Sequence, residues 1–504
     1  PLAAGCYHLK SSGQRPPLQY HNPQGCPSRM VKLHFLSAAD MAAAICSKQV
    51  SPRELAEAHL NRIDRLNPRL NALTHIDREG ALAAADEAGR ALFTGSDFGP
   101  LHGVPITIKS SLDVAGWPCE SGTKLRAGRV AATDAPLVGR LRKAGAILLG
   151  NTNTPELLMA YETDNLLYGR TNSPWDIART PGGSSGGEAA AIAAGLSAGG
   201  VGSDGGGSIR IPAHYSGICG LKPTPGRIPG TGHYPASTGP FALIGVCGPM
   251  TRTVRDLEIM FEVMAGPDDG DPSSAPVPVR WPDEAEIRRL PVGVFEQDGG
   301  TPVTEETRAA VRQAAENLRL DGFAVEPFEP LLPGGLERAR RLWWNIFGRA
   351  GAMMIGPMAR GREAEISPIL REFLGAAAAD GPLTADEFLE TWLDRDKLRG
   401  RLLAEMQRAP VFICPVCSIP AFRHGEREWL VGARKVKYFE AMSYTQWFNI
   451  LGNPAAVVPV GQSPEGLPVG VQVVGRPHEE ERVLAVARAI ERHRGPWRPP
   501  ATID

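Results

Sequence analysis

Apolar and polar positions alternate along the chain in blocks that predict strands and helices in turn. Residues 103–109 form an apolar run of strand length, and residues 146–150 form a second one directly after a helical pattern over 134–143. The segment 51–54 (SPRE) is a capping box, which predicts a helix from there to about Leu66. Strands that alternate with helices in this way are typical of an α/β fold.

The second half of the chain continues this pattern and adds a long helical segment. The Pro-, Asp- and Ser-rich residues 266–282 predict a surface connection, and the apolar residues 290–295 predict a further strand. Residues 330–408 predict helices, with a second capping box from Thr384 to Glu387.

Composition and charge exclude several classes of protein. The chain has 504 residues, 42% of them hydrophobic, and a formal net charge of −1, so it carries no electrostatic footprint for nucleic acid. No stretch approaches the 18 apolar residues of a membrane span. Eight cysteines without a dense framework, and no apolar secretory segment, favour a cytoplasmic location.

Two Gly/Ser-rich stretches stand out, at 181–188 (PGGSSGGE) and 202–210 (GSDGGGSIR). Glycine costs roughly 0.5–1 kcal/mol relative to Ala in regular elements, so this density indicates a close approach to the backbone. Both stretches run into helix-compatible sequence, which predicts a serine cluster at each helix N-terminus, where unpaired N–H groups point outward. Such groups suit a developing oxyanion, with Ser208 placed to attack. The predicted oxyanion-hole donors are the N–H groups of Gly205, Gly206, Gly207 and Ser208.

A serine hydroxyl needs a base to become a nucleophile, and Lys109 is the candidate. It ends the apolar run 103–109, where burial would lower its pKa and let the neutral amine accept a proton. A lysine at a strand end usually only extends towards solvent. Its spacing to the two serine clusters favours the catalytic interpretation.

That spacing resembles the amidase signature family. Lys109 lies 75 positions before Ser184, and Ser184 lies 24 before Ser208. The resemblance is strongest over 101–250 and continues more weakly over roughly 40–490. Further matching motifs are TNTPE at 152–156, YGRTN at 168–172, GLKPT at 220–224 and GPM at 248–250. The resemblance implies a triad in which Ser208 is the nucleophile, Ser184 a bridging serine with a cis peptide bond, and Lys109 the base.

The resemblance also implies the architecture, a central, mixed, twisted β-sheet covered by helices on both faces. We expect residues 30–504 to form a single catalytic domain, with 330–408 as a helical region that covers the substrate. The polar residues 1–29 are expected to be unstructured or extraneous. Residues expected to support the nucleophile and its loop are Ser185, Asp204 and Arg210, and those expected to shape the substrate cleft are Leu158, Met159 and Tyr161.

These features predict an amidohydrolase that works through an acyl-enzyme on Ser208, without metal or cofactor. Family members include aryl acylamidases, urethanases and fatty-acid amide hydrolases. Apolar residues at 342–347 and 353–355 either roof an acyl or aryl pocket or pack a helix core, and they favour hydrophobic or aryl amides, with carbamates and esters also possible substrates. We expect a monomer or a homodimer that binds no nucleic acid.

The alternative function is the glutaminase subunit of a tRNA-dependent amidotransferase, which delivers ammonia to a partner. That subunit commonly carries an Asp-Gln pair just before the GPM motif, where this chain has IGVC at 244–247. The sequence therefore favours the amidohydrolase.

Three other interpretations carry less weight. G-x-S-x-G occurs at 182–186 and at 183–187, but no good strand precedes it and no histidine stands out as its base. The CxxC pair 414–417 lies in an apolar run, which predicts core packing. Glu156 is expected to open a helix capped by Thr154, where its carboxylate complements the helix dipole.

Overall fold

The computed structural model describes residues 32–94, 99–330 and 334–503, so the expectation for 1–29 lies outside the described residues. The strands are β1 (Leu73–Ile76), β2 (Pro105–Lys109), β3 (Ile147–Thr152), β4 (Gly199–Asp204), β5 (Cys219–Lys222), β6 (Val246–Thr251), β7 (Val292–Val294), β8 (Val325–Pro327), β9 (Val411–Pro415), β10 (Glu428–Val431), β11 (Arg434–Lys437), β12 (Ala455–Gln462) and β13 (Pro468–Gly475).

The helices occur before, between and after these strands. They are α1 (Ala38–Cys46), α2 (Pro52–Leu70), α3 (Arg78–Thr94), α4 (Pro136–Lys143), α5 (Gly186–Ala193), α6 (Arg210–Ser216), α7 (Val254–Met264), α8 (Glu284–Arg288), α9 (Glu305–Leu320), α10 (Gly335–Trp343), α11 (Gly351–Ala359), α12 (Pro368–Ala379), α13 (Ala385–Glu405), α14 (Tyr438–Ala441), α15 (Ser443–Ile450) and α16 (Glu480–His493).

Within the described ranges, eleven strands form one sheet in the order β1-β3-β2-β4-β6-β5-β12-β13-β9-β7-β8. β2 is parallel to β3 and β4, and β7 is parallel to β8 and β9, whereas the other neighbours are antiparallel. β10 and β11 pair separately as a hairpin. Helices flank the large sheet, which confirms the predicted α/β fold with a mixed sheet.

The capping box predicted at the start of α2 is formed. The Ser51 hydroxyl accepts from the Glu54 N–H at 3.1 Å, and the Glu54 carboxylate accepts from the Ser51 N–H at 2.7 Å. The helix runs to Leu70, four residues beyond the predicted end, and stops where Asn71 adopts the left-handed conformation (φ 50°).

Residues 335–405 are mostly helical, as the pattern over 330–408 predicts. A π-helical turn, Trp344–Ala350, joins α10 to α11, and the capping box of Thr384 and Glu387 begins α13. We call α10 to α13, with this turn, the helical cover. No helix in the described ranges is long and apolar enough to span a bilayer.

The parallel pair of β2 and β4 positions the central side chains. Thr107 of β2 lies opposite Gly200 of β4, so both strands reach the same edge of the sheet. Lys109 ends β2, and Ser203 and Asp204 end β4. Polar groups from two separate parts of the sequence therefore meet at one place.

Candidate active site

Both serine clusters lie at helix N-termini, as predicted. Ser185 directly precedes α5, and Ser208 lies two residues before α6. The Gly183–Ser184 peptide bond is cis. Ser185 occupies the N-cap position but does not cap the helix with its side chain. Its hydroxyl is instead 2.9 Å from the Lys109 Nζ, so it serves the site rather than the helix end.

Lys109 is completely buried and lies among hydroxyl groups. Its Nζ is 2.7 Å from the Ser184 Oγ and 3.0 Å from the Ser203 Oγ. It is also 3.5 Å from the carbonyl oxygen of Ser203. The structure therefore brings together the lysine and the first serine that the sequence predicted, and it adds Ser203, which the sequence analysis missed.

Burial lowers the pKa of Lys109 to about 7, because a charged ammonium loses its hydration there. Electrostatic interactions with Cys247, Asp204 and Glu188 oppose this shift only in part. A substantial share of the lysine is therefore neutral near pH 7, as a base must be.

Asp204 and Arg210 form a buried ion pair behind Ser208. The Arg210 Nε lies 3.0 Å from the Asp204 Oδ2, and both side chains are fully buried. Burial alone would raise the pKa of Asp204, but the Arg210 guanidinium outweighs burial and holds that pKa well below its ordinary value. The Asn449 Oδ1 accepts a hydrogen bond from the Arg210 Nη2 at 2.5 Å. Asp204 and Arg210, both expected to support the nucleophile and its loop, therefore pair with each other.

Asp204 also organises the loop after it, and this changes the predicted set of oxyanion donors. The Gly207 N–H donates to the Asp204 Oδ1 at 2.7 Å, so it is already engaged. The prediction of four available N–H groups is therefore wrong for Gly207. The N–H groups of Gly205, Gly206 and Ser208 donate to no acceptor among the described residues.

An apolar cavity of about 200 Å³ reaches this loop. Its wall combines residues close to Lys109 and Ser208, residues of the segment 233–246 and residues of the helical cover. The lining residues are Leu157, Leu158, Met159, Ser184, Ser203, Asp204, Gly205, Ser208, His233, Tyr234, Pro235, Ala236, Ser237, Phe241, Ile244, Gly245, Val246, Phe347, Gly351, Met354, Ile355 and Met358. The Ser208 hydroxyl has no hydrogen-bond partner among the described residues, so it is available to a ligand in this cavity.

Two of the three predicted cleft residues, Leu158 and Met159, line the cavity, but Tyr161 does not. The Tyr161 hydroxyl instead donates to the carbonyl of Gly206 at 3.1 Å. This prediction is corrected, because Tyr161 packs behind the loop. In the apolar stretch of the cover, Phe347 and Met354 line the cavity, whereas Trp343 is buried against the loop.

Glu156 differs from its prediction. It begins a single 3₁₀ turn, Glu156–Leu158, in which Leu157 and Leu158 have positive φ, so no α-helix forms there. Its carboxylate accepts from the Thr123 hydroxyl at 2.7 Å and from the Ser367 N–H at 2.6 Å. Glu156 thus anchors the start of α12 rather than complementing a helix dipole.

The segment 233–246 contributes lining that the sequence analysis missed. His233 Nδ1 lies 2.8 Å from the carbonyl of Pro235, and burial lowers the pKa of His233 to about 4, with the charge of Lys109 adding to the shift. This histidine is therefore neutral at pH 7. No pattern in the sequence marked it, because the wall of the cavity is assembled by tertiary packing.

The CxxC cysteines pack in the apolar core, which confirms their prediction. Cys414 lies in β9 and Cys417 just after it, and both are fully buried. In the described part of the chain, no group of three His, Cys, Asp or Glu side chains has the arrangement of a metal site.

Comparison with known proteins agrees with this geometry. The family model described as Amidase matches residues 54–484. The chain belongs to the amidase family. This amidase is 36% identical to an acylamidase of Rhodococcus erythropolis over 471 residues, which cover 92% of this chain and 96% of that protein. It is therefore a carbon–nitrogen hydrolase that acts on amides other than peptides.

Two further proteins are similar to this amidase, one in sequence and one in structure. It is 33% identical to a glutamyl-tRNA(Gln) amidotransferase subunit of Salinispora arenicola, over 94% of this chain and 100% of that protein. Among solved structures it is similar to a bacterial aryl acylamidase of the amidase signature enzymes, with a TM-score of 0.81 and 28% identity, over 91% of this chain and 96% of that one.

Proposed function

We propose that this amidase hydrolyses amides of uncharged, hydrophobic acyl or aryl small molecules through an acyl-enzyme on Ser208. The observation that carries the proposal is the apolar cavity that ends at Ser208. Asp204 is the one charged side chain among the described lining residues, and Arg210 neutralises it. A charged substrate would lose its hydration in this cavity without gaining a partner.

The proposed reaction begins with neutral Lys109. The Ser208 Oγ attacks the acyl carbon while its proton passes through Ser184 to Lys109. The N–H groups that the loop leaves free stabilise the oxyanion. Ser184 then protonates the leaving amine, and the acyl-enzyme forms. Water attacks the acyl-enzyme along the same path, which releases the carboxylic acid and restores Ser208.

One observation in favour of the glutaminase alternative is the similarity to the amidotransferase protein of Salinispora arenicola. Free glutamine carries an ammonium and a carboxylate, and each needs a partner of opposite charge. Asp204 is engaged by Arg210, and the described lining holds no lysine or arginine. The cavity chemistry therefore supports hydrophobic amides over glutamine.

A substrate panel tests the proposal. The panel holds an aryl anilide, a long-chain acyl amide, a carbamate, a 4-nitrophenyl ester and glutamine, each with the wild type. We expect kcat/KM to be largest for the hydrophobic amides among the C–N substrates, with carbamate and ester cleavage as secondary activities. Hydrolysis of glutamine in preference to every other amide would establish the alternative.

A further inference from the structure

Two stacked aromatic rings of the helical cover contact residues 205–208, which we call the oxyanion loop. Trp343, the last residue of α10, donates its Nε1–H to the carbonyl of Gly205 at 2.7 Å. Its indole stacks on Phe347, with centroids 4.9 Å apart and planes 13° apart. The Trp343 side chain is only 1% exposed, and this hydrogen bond is partly buried.

The bond from Trp343 fixes the direction of an N–H group as well as a carbonyl. The Gly205 C=O and the Gly206 N–H belong to the same peptide unit, which is planar and trans, so they point in opposite directions. Holding the carbonyl towards Trp343 therefore holds the Gly206 N–H away from it. That N–H is one of the three that donate to no acceptor among the described residues.

The next peptide unit of the loop is held quite differently. Its carbonyl, on Gly206, accepts from the Thr445 hydroxyl at 2.6 Å and from the Tyr161 hydroxyl at 3.1 Å. Its N–H, on Gly207, donates to Asp204. It is thus fixed at both ends without the helical cover. In the described part of the chain, the Gly205–Gly206 peptide is held by Trp343 alone.

Glycine on both sides makes the Gly205–Gly206 peptide easy to rotate, because no Cβ restricts the torsions that would turn it over. A side chain at Gly206 cannot supply the restraint, since its Cβ would lie 2.5 Å from the Trp343 Cζ2. The indole occupies the volume that such a side chain would need. The loop therefore depends on Trp343 for an orientation that it cannot enforce by itself.

We propose that Trp343 is a positioning residue for the oxyanion hole. Its indole N–H keeps the Gly205–Gly206 peptide turned so that the Gly206 N–H is presented to the oxyanion. This inference rests on the proposed function and deepens it. Through this single bond, the helical cover influences the rate of the reaction.

The first test compares Trp343→Phe with Trp344→Phe, using an aryl anilide as substrate. Trp344 is a matched control, because its Nε1 donates to Asp380, away from the loop. We expect Trp343→Phe to lower kcat about tenfold with little change in KM, since the lost donor acts on the transition state. Trp344→Phe should leave kcat near the wild-type value.

A second variant shows whether a loss of kcat comes from the missing hydrogen bond or from a change in packing. Replacing Trp343 by 3-benzothienylalanine keeps the bicyclic ring and exchanges the N–H for sulfur. The same loss of kcat, at an unchanged melting temperature, is expected. Wild-type kcat in this variant, or an equal loss in Trp344→Phe, would overturn the proposal.

Phenylboronic acid separates this proposal from the proposed function. As a tetrahedral adduct on Ser208 it would place an oxygen against the loop, without any substrate turnover. We expect the variants at Trp343 to bind it about tenfold more weakly than the wild type. A wild type that binds the boronate but cleaves no amide would refute only the proposed function. Equal boronate affinity in wild type and variants would refute the role of Trp343.

Discussion

The proposed catalytic centre and the helical cover differ in what holds their side chains in place. Lys109, Asp204 and Arg210 are at most 1% exposed, and each makes several polar contacts with the sheet and its adjoining helices. In the cover, Met353 is 56% and Leu393 is 62% exposed. The centre is thus fixed mainly by buried hydrogen bonds, whereas the helices of the cover pack on one face and expose apolar side chains on the other.

This difference separates two properties of the enzyme. A buried polar group that loses its partner leaves an unpaired charge or hydrogen bond, so changes in the centre should abolish the reaction. A cover residue that is shortened leaves a larger cavity, so changes there should alter which substrate is preferred. Trp343 is the exception, since it belongs to the cover but contacts the loop of the centre.

The largest expected effect comes from removing the nucleophile. We expect Ser208→Ala to lower kcat for an aryl anilide by about 10⁴-fold or more, because no other hydroxyl of the loop can form the acyl-enzyme. Steady-state kinetics measures this loss. Ser237→Ala is the control, since Ser237 lines the same cavity outside the centre and its variant should remain close to wild type. Comparable activity in Ser208→Ala and wild type would refute the assignment.

The next effect concerns the base and its pH dependence. Because the pKa of Lys109 is about 7, its neutral form is lost as the pH falls below 7. We expect kcat/KM to fall about tenfold per pH unit below pH 7 and to level off above it. Lys109→Met should lower kcat about 10³-fold.

Lys222 provides the control for that profile. It is also buried, which lowers its pKa to about 7, but it does not line the cavity. Its Nζ donates to the carbonyl of Pro223 at 2.8 Å. The Lys222→Met variant should keep the inflection near pH 7. Disappearance of the inflection in this variant would assign it to Lys222 and contradict the role of Lys109.

The smallest effect is expected in the cover, at two neighbouring methionines. Met354 lines the cavity, whereas Met353 does not. We expect Met354→Ala to shift the ratio of kcat/KM between a bulky and a small acyl amide about tenfold towards the bulky one. Met353→Ala should leave that ratio unchanged. Equal shifts in both variants would mean that the cover acts through its overall stability.

The sequence predicted the elements that carry the proposed centre better than the walls of the cavity, for a physical reason. The buried strand that ends at Lys109 and the two glycine-rich helix starts are local features, and the resemblance to the amidase signature family joined Lys109, Ser184 and Ser208 into a triad. The ion pair of Asp204 and Arg210 was also within reach, since the two residues are only six positions apart. Local patterns of this kind are readable because the backbone itself requires them.

Contacts between residues far apart in the sequence could not be predicted from local patterns. Trp343 and Gly205 are 138 positions apart, and the helical pattern does not show which face of α10 meets the loop. Tyr161 was expected in the cleft and lies behind the loop. Glu156 was expected to open a helix, but its carboxylate is held by Thr123 and Ser367. In each case tertiary packing overrode the local pattern.

The most direct test of the central claim is to trap the acyl-enzyme on Ser208. The wild type is mixed with a 4-nitrophenyl ester of a hydrophobic acid, quenched in acid within the first turnover, digested and analysed by mass spectrometry. We predict that the peptide containing Ser208 gains the mass of the acyl group, and that the Ser208→Ala variant shows no acylated peptide. Acylation at another residue, or hydrolysis without any acylated peptide at every quench time, would contradict the account.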